Sequence, residues 1–255
     1  MFEHSSDFHD YYRTRQGRHV AMRLRRTVGD FWSRAPNACN VAIGYPPPVL
    51  RTEERPPVLS FTPMRLGPRP WPPKSPNRSA LVNGRLLPLQ NVQLDRLLLV
   101  HALEFDPSPS RLLDECWRVL DGAGRLLVMV PNRNGLWARA EKTPFGHGRP
   151  FSRGQLRKLL ADHGFKPVRA QTALFMPPAA LGLFLRFGPQ IERIGSNWSP
   201  GIGGVLVVEA EKNLYAPAGK TSRVKSRASV AAGKLAPRPS GSISAGFMAG
   251  GAEGS

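Results

Sequence analysis

The stretch LLLVHALEFDPSPSRLLDECWRVLDGAGRLLVMVPN, residues 97–132, restricts the fold more than any other part of this 255-residue chain. Leu97–Val100 is an unbroken apolar run, as expected of a strand covered on both faces. Ser108 followed by Pro109 reads as an N-cap with proline at the first helical position, where its missing N–H costs nothing. Leu112, Leu113, Cys116, Trp117, Val119 and Leu120 then recur at helical spacing, with Gly122 as the expected C-cap. Arg125–Val130 is a second apolar strand, stopped by Pro131. A strand, a short helix and a strand make a right-handed βαβ unit with two parallel strands. Ligands of open parallel sheets bind beyond the carboxyl ends of the strands, so His101–Glu104 marks the expected site.

Further elements flank this unit. Tyr11, Tyr12, Val20, Met22, Leu24, Val28, Phe31 and Trp32 stand among arginines and predict an amphipathic helix or helix pair at the sheet edge. Cys39–Gly44, Pro57–Pro63 and Ser79–Gly84 read as three short strands. Ser152 caps an expected helix with Leu156, Leu159 and Leu160 as its stripe and Gly164 at its end. KPVRAQTALFMPP and GGVLVVEAEK supply the last two strands, and Ala179–Phe187 reads as a lid-like helix between them. The sum is an α/β chain: a Rossmann-like, doubly wound, mostly parallel seven-stranded sheet flanked by helices.

Composition bears mainly on partners. The formal charge of +18 favours nucleic acid or other anionic surfaces. From Lys212 onward seven Lys/Arg face one acid, Glu253, in a Pro/Gly/Ser/Ala-rich segment that cannot bury enough apolar surface to fold. Nonspecific nucleic-acid binding is therefore expected of that tail alone, since no base-reading module is visible. No run approaches the roughly 20 apolar residues of a membrane span. The start lacks a signal-peptide pattern, so the reading is cytoplasmic. Cys39 and Cys116 are read as buried thiols, not as disulfide or metal ligands.

The residues from Leu87 to Asn132 resemble a class I S-adenosylmethionine-dependent methyltransferase of the type 11 group. The resemblance rests on Leu87, Pro88 and Asp95 before the strand, and on Leu103, Glu104, Asp106 and Pro107 after it. Arg118, Val119, Leu120, Gly122, Gly124 and Arg125 continue it. It implies a methyltransferase-like domain over residues 39–212, preceded by a helical segment (1–38) and followed by a disordered basic tail (213–255). It also implies S-adenosylmethionine as cofactor and a small-molecule or macromolecular methyl acceptor.

Carried over by position, the resemblance makes Gly44, Tyr45, Thr62, Asn83, Gly84, His101, Ala102 and Leu103 the cofactor-binding candidates. His101 is the candidate base, because an imidazole near neutrality can take a proton from an acceptor. The first loop is degenerate. Gly44 alone remains of the family's glycine-rich turn, Pro46–Pro48 remove three backbone donors, and no acid ends the second strand. Asn83 retains a carbonyl that can accept a hydrogen bond. A non-catalytic scaffold and a nonspecific nucleic-acid-associated protein are the rival expectations. If residues 213–255 are dispensable for folding, a chain ending near Lys212 should keep its denaturation midpoint. A loss of several kcal/mol would mean the tail is buried.

Overall fold

A computed structural model describes residues 2–32, 38–51, 57–178 and 203–214. Seven strands form one sheet in the order β3-β2-β1-β4-β5-β7-β6. They are β1 (Asn40–Gly44), β2 (Val58–Pro63), β3 (Ser79–Val82), β4 (Leu94–Val100), β5 (Leu120–Pro131), β6 (Phe165–Ala173) and β7 (Val205–Lys212). The first five run parallel, while β7 is antiparallel to both β5 and β6. The chain leaves β1 toward β2 and β3, then returns to place β4 on the other side of β1. That reversal makes the β1/β4 boundary the switch point of the sheet.

Alternation along β4 divides the core in two. Leu97 and Leu99 face α3 (Pro109–Val119) and α4 (Arg153–Asp162), together with Val41, Ile43, Leu126 and Val128. Leu98 and Val100 face the opposite layer, where Val20, Leu24, Val28 and Phe31 pack on Ala42, Leu127 and Val207. Those four residues belong to α2 (Arg15–Phe31), which follows α1 (Ser5–Arg13).

The N-terminal helices thus cover a face of the sheet, and not its edge as expected. The reason lies in the β1–β2 connection. Pro46–Pro48 hold it in a turn, and none of its described residues is helical. The face a crossover helix would bury is covered by α2, with Arg25 Nη2 donating to Pro48 O at 2.9 Å.

A second correction concerns the end of α3. Gly122 does not cap it. The helix stops at Val119, Leu120 is already extended, and Gly122 lies within β5. Burial decides this: Leu120 is fully buried and pairs with Leu94 of β4, which draws the backbone into the sheet before the glycine is reached. The N-cap of α4 is as expected, with Ser152 Oγ accepting from Gln155 N and Gln155 returning a bond to Ser152 N. The lid-like helix expected at Ala179–Phe187 and the tail from residue 215 lie outside the described residues. Among the described residues, no helix is long and apolar enough to cross a membrane.

Arg118 explains why the residues before β4 and the end of α3 go together. Its guanidinium meets both oxygens of Glu115, at 2.8 and 2.7 Å, and donates to Leu89 O, Leu87 O and Asn91 Oδ1. Glu115 also accepts from Leu87 N at 2.8 Å. The Arg118 hydrogen bond is the main cause holding the Glu115 carboxyl below its ordinary range. Arg118→Ala should therefore lower unfolding free energy by about 2 kcal/mol in a denaturant titration, since charge-assisted hydrogen bonds carry roughly 1.5–3 kcal/mol and this cluster is partly solvated. A carboxyl depressed in the folded state stabilises above its unfolded value and stops doing so as pH falls through the folded value. The difference between parent and variant should accordingly shrink on acidification below about pH 4.5.

Candidate active site at the ends of β1 and β4

The site begins with a close backbone approach. Gly44 pairs with Val100 across the switch point, and Tyr45 N donates to Val100 O at 2.7 Å. Gly44 has φ +104°, and a Cβ built there would lie 2.0 Å from Val100 O. Its missing side chain is thus used by the neighbouring strand. Beyond Val100 the chain turns sharply through His101, a non-glycine residue at φ 51°. Left-handed backbone at such a residue is uncommon and costs about 1–3 kcal/mol, so surrounding contacts must hold it.

Those contacts are polar and buried. His101 Nδ1 lies 3.0 Å from Glu104 Oε1, and His101 Nε2 lies 2.8 Å from the Tyr12 hydroxyl. Burial pushes the Tyr12 phenol well above its ordinary value, so it stays protonated and donates to Nε2. Nδ1 then carries the imidazole hydrogen and donates to the carboxylate. The other Glu104 oxygen, Oε2, is buried and has no hydrogen-bond partner among the described residues. The loop after β5 clamps this turn: Arg149 N donates to Glu104 O at 2.8 Å, beside Gly148 at φ +74°.

An aromatic shell encloses the imidazole. The Phe8 ring is 5.1 Å from His101 and 5.1 Å from Tyr45, on which it stacks, and Phe145 is 5.2 Å from His101. Burial pushes the Tyr45 phenol up to about 12. A small cavity of about 10 Å³, room for about one water molecule, adjoins the histidine, lined by Leu24, Val100, Met129, Phe145 and Val205 as well as His101 and Glu104.

The eight cofactor-binding candidates are not all in one place. Gly44, Tyr45, His101 and Ala102 meet at the switch point. The Ala102 and Leu103 side chains point to the α3 side, in the opposite core layer from His101's aromatic shell. Thr62 is buried at the end of β2, beyond β1. Asn83 and Gly84 close β3 at the sheet edge, where Asn83 Oδ1 accepts from Arg85 N in a local turn. A Cβ on Gly84 would touch Asp106 and Leu112 at ordinary contact distance. Phe8 and Tyr12 were missed as site residues. Their i, i+4 spacing beside Tyr11 marked an aromatic helix face, but not the surface it covers.

No family model matches the chain. Over 123 residues, 45% of its length, it is 33% identical to a Mycobacterium tuberculosis protein named "probable S-adenosylmethionine-dependent methyltransferase". The match covers 44% of that relative, so the chain spans less than half the length of the curated relative. A Thermotoga maritima S-adenosylmethionine-dependent methyltransferase, titled a possible histamine N-methyltransferase, superposes with TM-score 0.58 at 19% identity, covering 82% of this chain and 95% of that one. The fold is that of the class I S-adenosylmethionine-dependent methyltransferases. An Archaeoglobus fulgidus methyltransferase shows the same fold, with TM-score 0.52 and 18% identity over 80% of this chain and 98% of the other. Within the methyltransferase fold, His101 and Glu104 stand at the carboxyl end of β4, facing the sheet's switch point.

Gly44→Ala should destabilise the fold by about 3 kcal/mol or more, because it adds left-handed strain to a backbone overlap with Val100. A thermal melt reads this directly. An unchanged midpoint would mean that the Gly44–Val100 approach is relaxed in solution.

Proposed function

We propose that the chain is an S-adenosylmethionine-dependent methyltransferase acting on a nucleophilic acceptor. Residues 39–212 form its methyltransferase domain, preceded by the helical segment 1–38 and followed by a basic tail at 213–255. The observation that carries the reading is the buried His101–Glu104 pair at the switch point. Support comes from the methyltransferase fold and from the relative named for this activity. The free cysteines Cys39 and Cys116 agree with a cytoplasmic setting.

The residues at the strand ends fit the cofactor at its methionine end. Glu104 Oε2 is a buried carboxylate oxygen lacking a partner among the described residues, and S-adenosylmethionine carries an ammonium and a sulfonium. Gly44, Tyr45, His101, Ala102 and Leu103 would hold that end, and Thr62, Asn83 and Gly84 would serve the ribose and adenine. When bound, the cofactor supplies an electrophilic methyl group on sulfur. The protein's share is to orient the acceptor, exclude water and receive a proton. The aromatic shell excludes water. His101 Nε2 is the proton acceptor, kept in one tautomer by Glu104. Because α1 lies over this end, binding requires its aromatic side chains to withdraw.

The strand β2 ends in Thr62-Pro63, with no acid for the ribose hydroxyls. A charge-assisted hydrogen bond carries roughly 1.5–3 kcal/mol, so affinity should fall roughly tenfold to a hundredfold below that of a site with the acid. Calorimetric titration of the full chain with S-adenosylmethionine should show saturable but weakened binding. No binding at millimolar cofactor would sink the methyltransferase reading.

A further inference from the structure

Tyr12 presents the imidazole with a neutral hydroxyl donor, yet it comes from a part of the chain outside the sheet. Its oxygen is 2.8 Å from His101 Nε2. The histidine can accept only one kind of partner there. Glu104, acceptor-only when ionised, takes the Nδ1 hydrogen, and this leaves a lone pair at Nε2 for an incoming O–H. The Tyr12 ring packs on Tyr11, Tyr45 and the imidazole, a buried aromatic setting that favours an uncharged donor.

α1 has nine residues, too few to persist alone in water. It joins α2 through Thr14, whose extended backbone ends one helix and whose side chain caps the next. Its hold on the site rests on Phe8, Tyr11 and Tyr12. Beside the imidazole, a water-sized cavity of about 10 Å³ has apolar walls at Leu24, Val100, Met129 and Phe145, and Glu104 Oε2 has no hydrogen-bond partner among the described residues.

We propose that the Tyr12 hydroxyl holds the place of a hydroxyl group on the methyl acceptor, so that the site takes an alcohol or phenol whose O–H donates to His101 Nε2 once α1 withdraws. This rests on the methyltransferase reading and deepens it by naming the acceptor class. The acceptor's apolar stem takes the space that the Phe8 and Tyr12 rings leave beside the imidazole. In the ligand-free protein α1 closes the site from within, which keeps the buried imidazole satisfied until the acceptor arrives.

The test uses the full-length chain, phenol as the probe, and toluene as the isostere lacking the hydroxyl. Tyr12→Phe removes the internal competitor while keeping its ring. Phenol and toluene should then both bind roughly threefold to tenfold more tightly than to the parent, the equivalent of the one neutral hydrogen bond removed, with phenol tighter than toluene in both proteins. In the 15N spectrum of the variant, phenol and not toluene should shift His101 Nε2. Weaker phenol binding by Tyr12→Phe would make Tyr12 a constituent of the site and overturn the proposal, as would equal binding of the two probes.

Should the variant fail to fold, the parent decides by hydrogen exchange. Phenol and not toluene should speed exchange at the Phe8–Tyr12 amides, and phenol binding that leaves them unchanged overturns the proposal. S-adenosylmethionine titrated into the same samples separates the two readings. A phenol response without cofactor binding keeps the hydroxyl site and removes the methyltransferase. Cofactor binding with no phenol preference does the reverse.

Discussion

The pairing of β1 with β4 is the contact on which the rest of the molecule depends. β4 is buried on both faces and hydrogen-bonded on both edges, to β1 and to β5. Each side chain from Leu97 to Val100 is therefore committed to one core layer or the other. At its carboxyl end Gly44 and Val100 come closer than any side chain would allow. The chain emerging from β4 has no lateral room, and it turns at once through His101 in a left-handed conformation. The strain of that turn is held by the two hydrogen bonds of the imidazole. A structural constraint and a chemical group thus share one residue.

The two halves of the sheet are supported differently. The β4–β5 half has a regular crossover helix, α3, tied to the preceding loop by Arg118 and Glu115. On the β1–β2 side, prolines replace the crossover helix among the described residues, and α2 covers the face in its place. Among the described residues the first loop has no following helix N-terminus, which in other dinucleotide and nucleoside sites concentrates backbone donors on a ligand.

The candidate site could be read in part from residue order. A histidine and a glutamate three residues apart after an apolar run suggested a strand end, and β4 ends there. That the two side chains touch depends on the turn at His101, which brings positions i and i+3 to the same side. Tyr12 and Phe8 could not be placed there from sequence, because nothing local to residues 8–12 records what lies 89 positions further along. The assignment of Gly122 as a helix cap failed for a similar reason. Local propensity favours a glycine at that point, but the burial of Leu120 against β4 ends the helix earlier.

What the sequence determined by itself is the set of elements whose signal is local: β4 from its apolar run, α3 from Ser108-Pro109 and its stripe, α4 from its capping box, and the parallel arrangement that a βαβ unit imposes. Those follow from backbone sterics, periodicity and capping, which act over a few residues. Tertiary structure alone decided that α2 lies on the face the prolines leave open. It also decided that Gly44's absent side chain serves Val100, and that an N-terminal tyrosine completes the hydrogen bonding of a histidine at the end of β4. Each of these joins residues distant in the chain, and such pairings are selected by burial and by the need to satisfy buried polar atoms, neither of which a local pattern encodes.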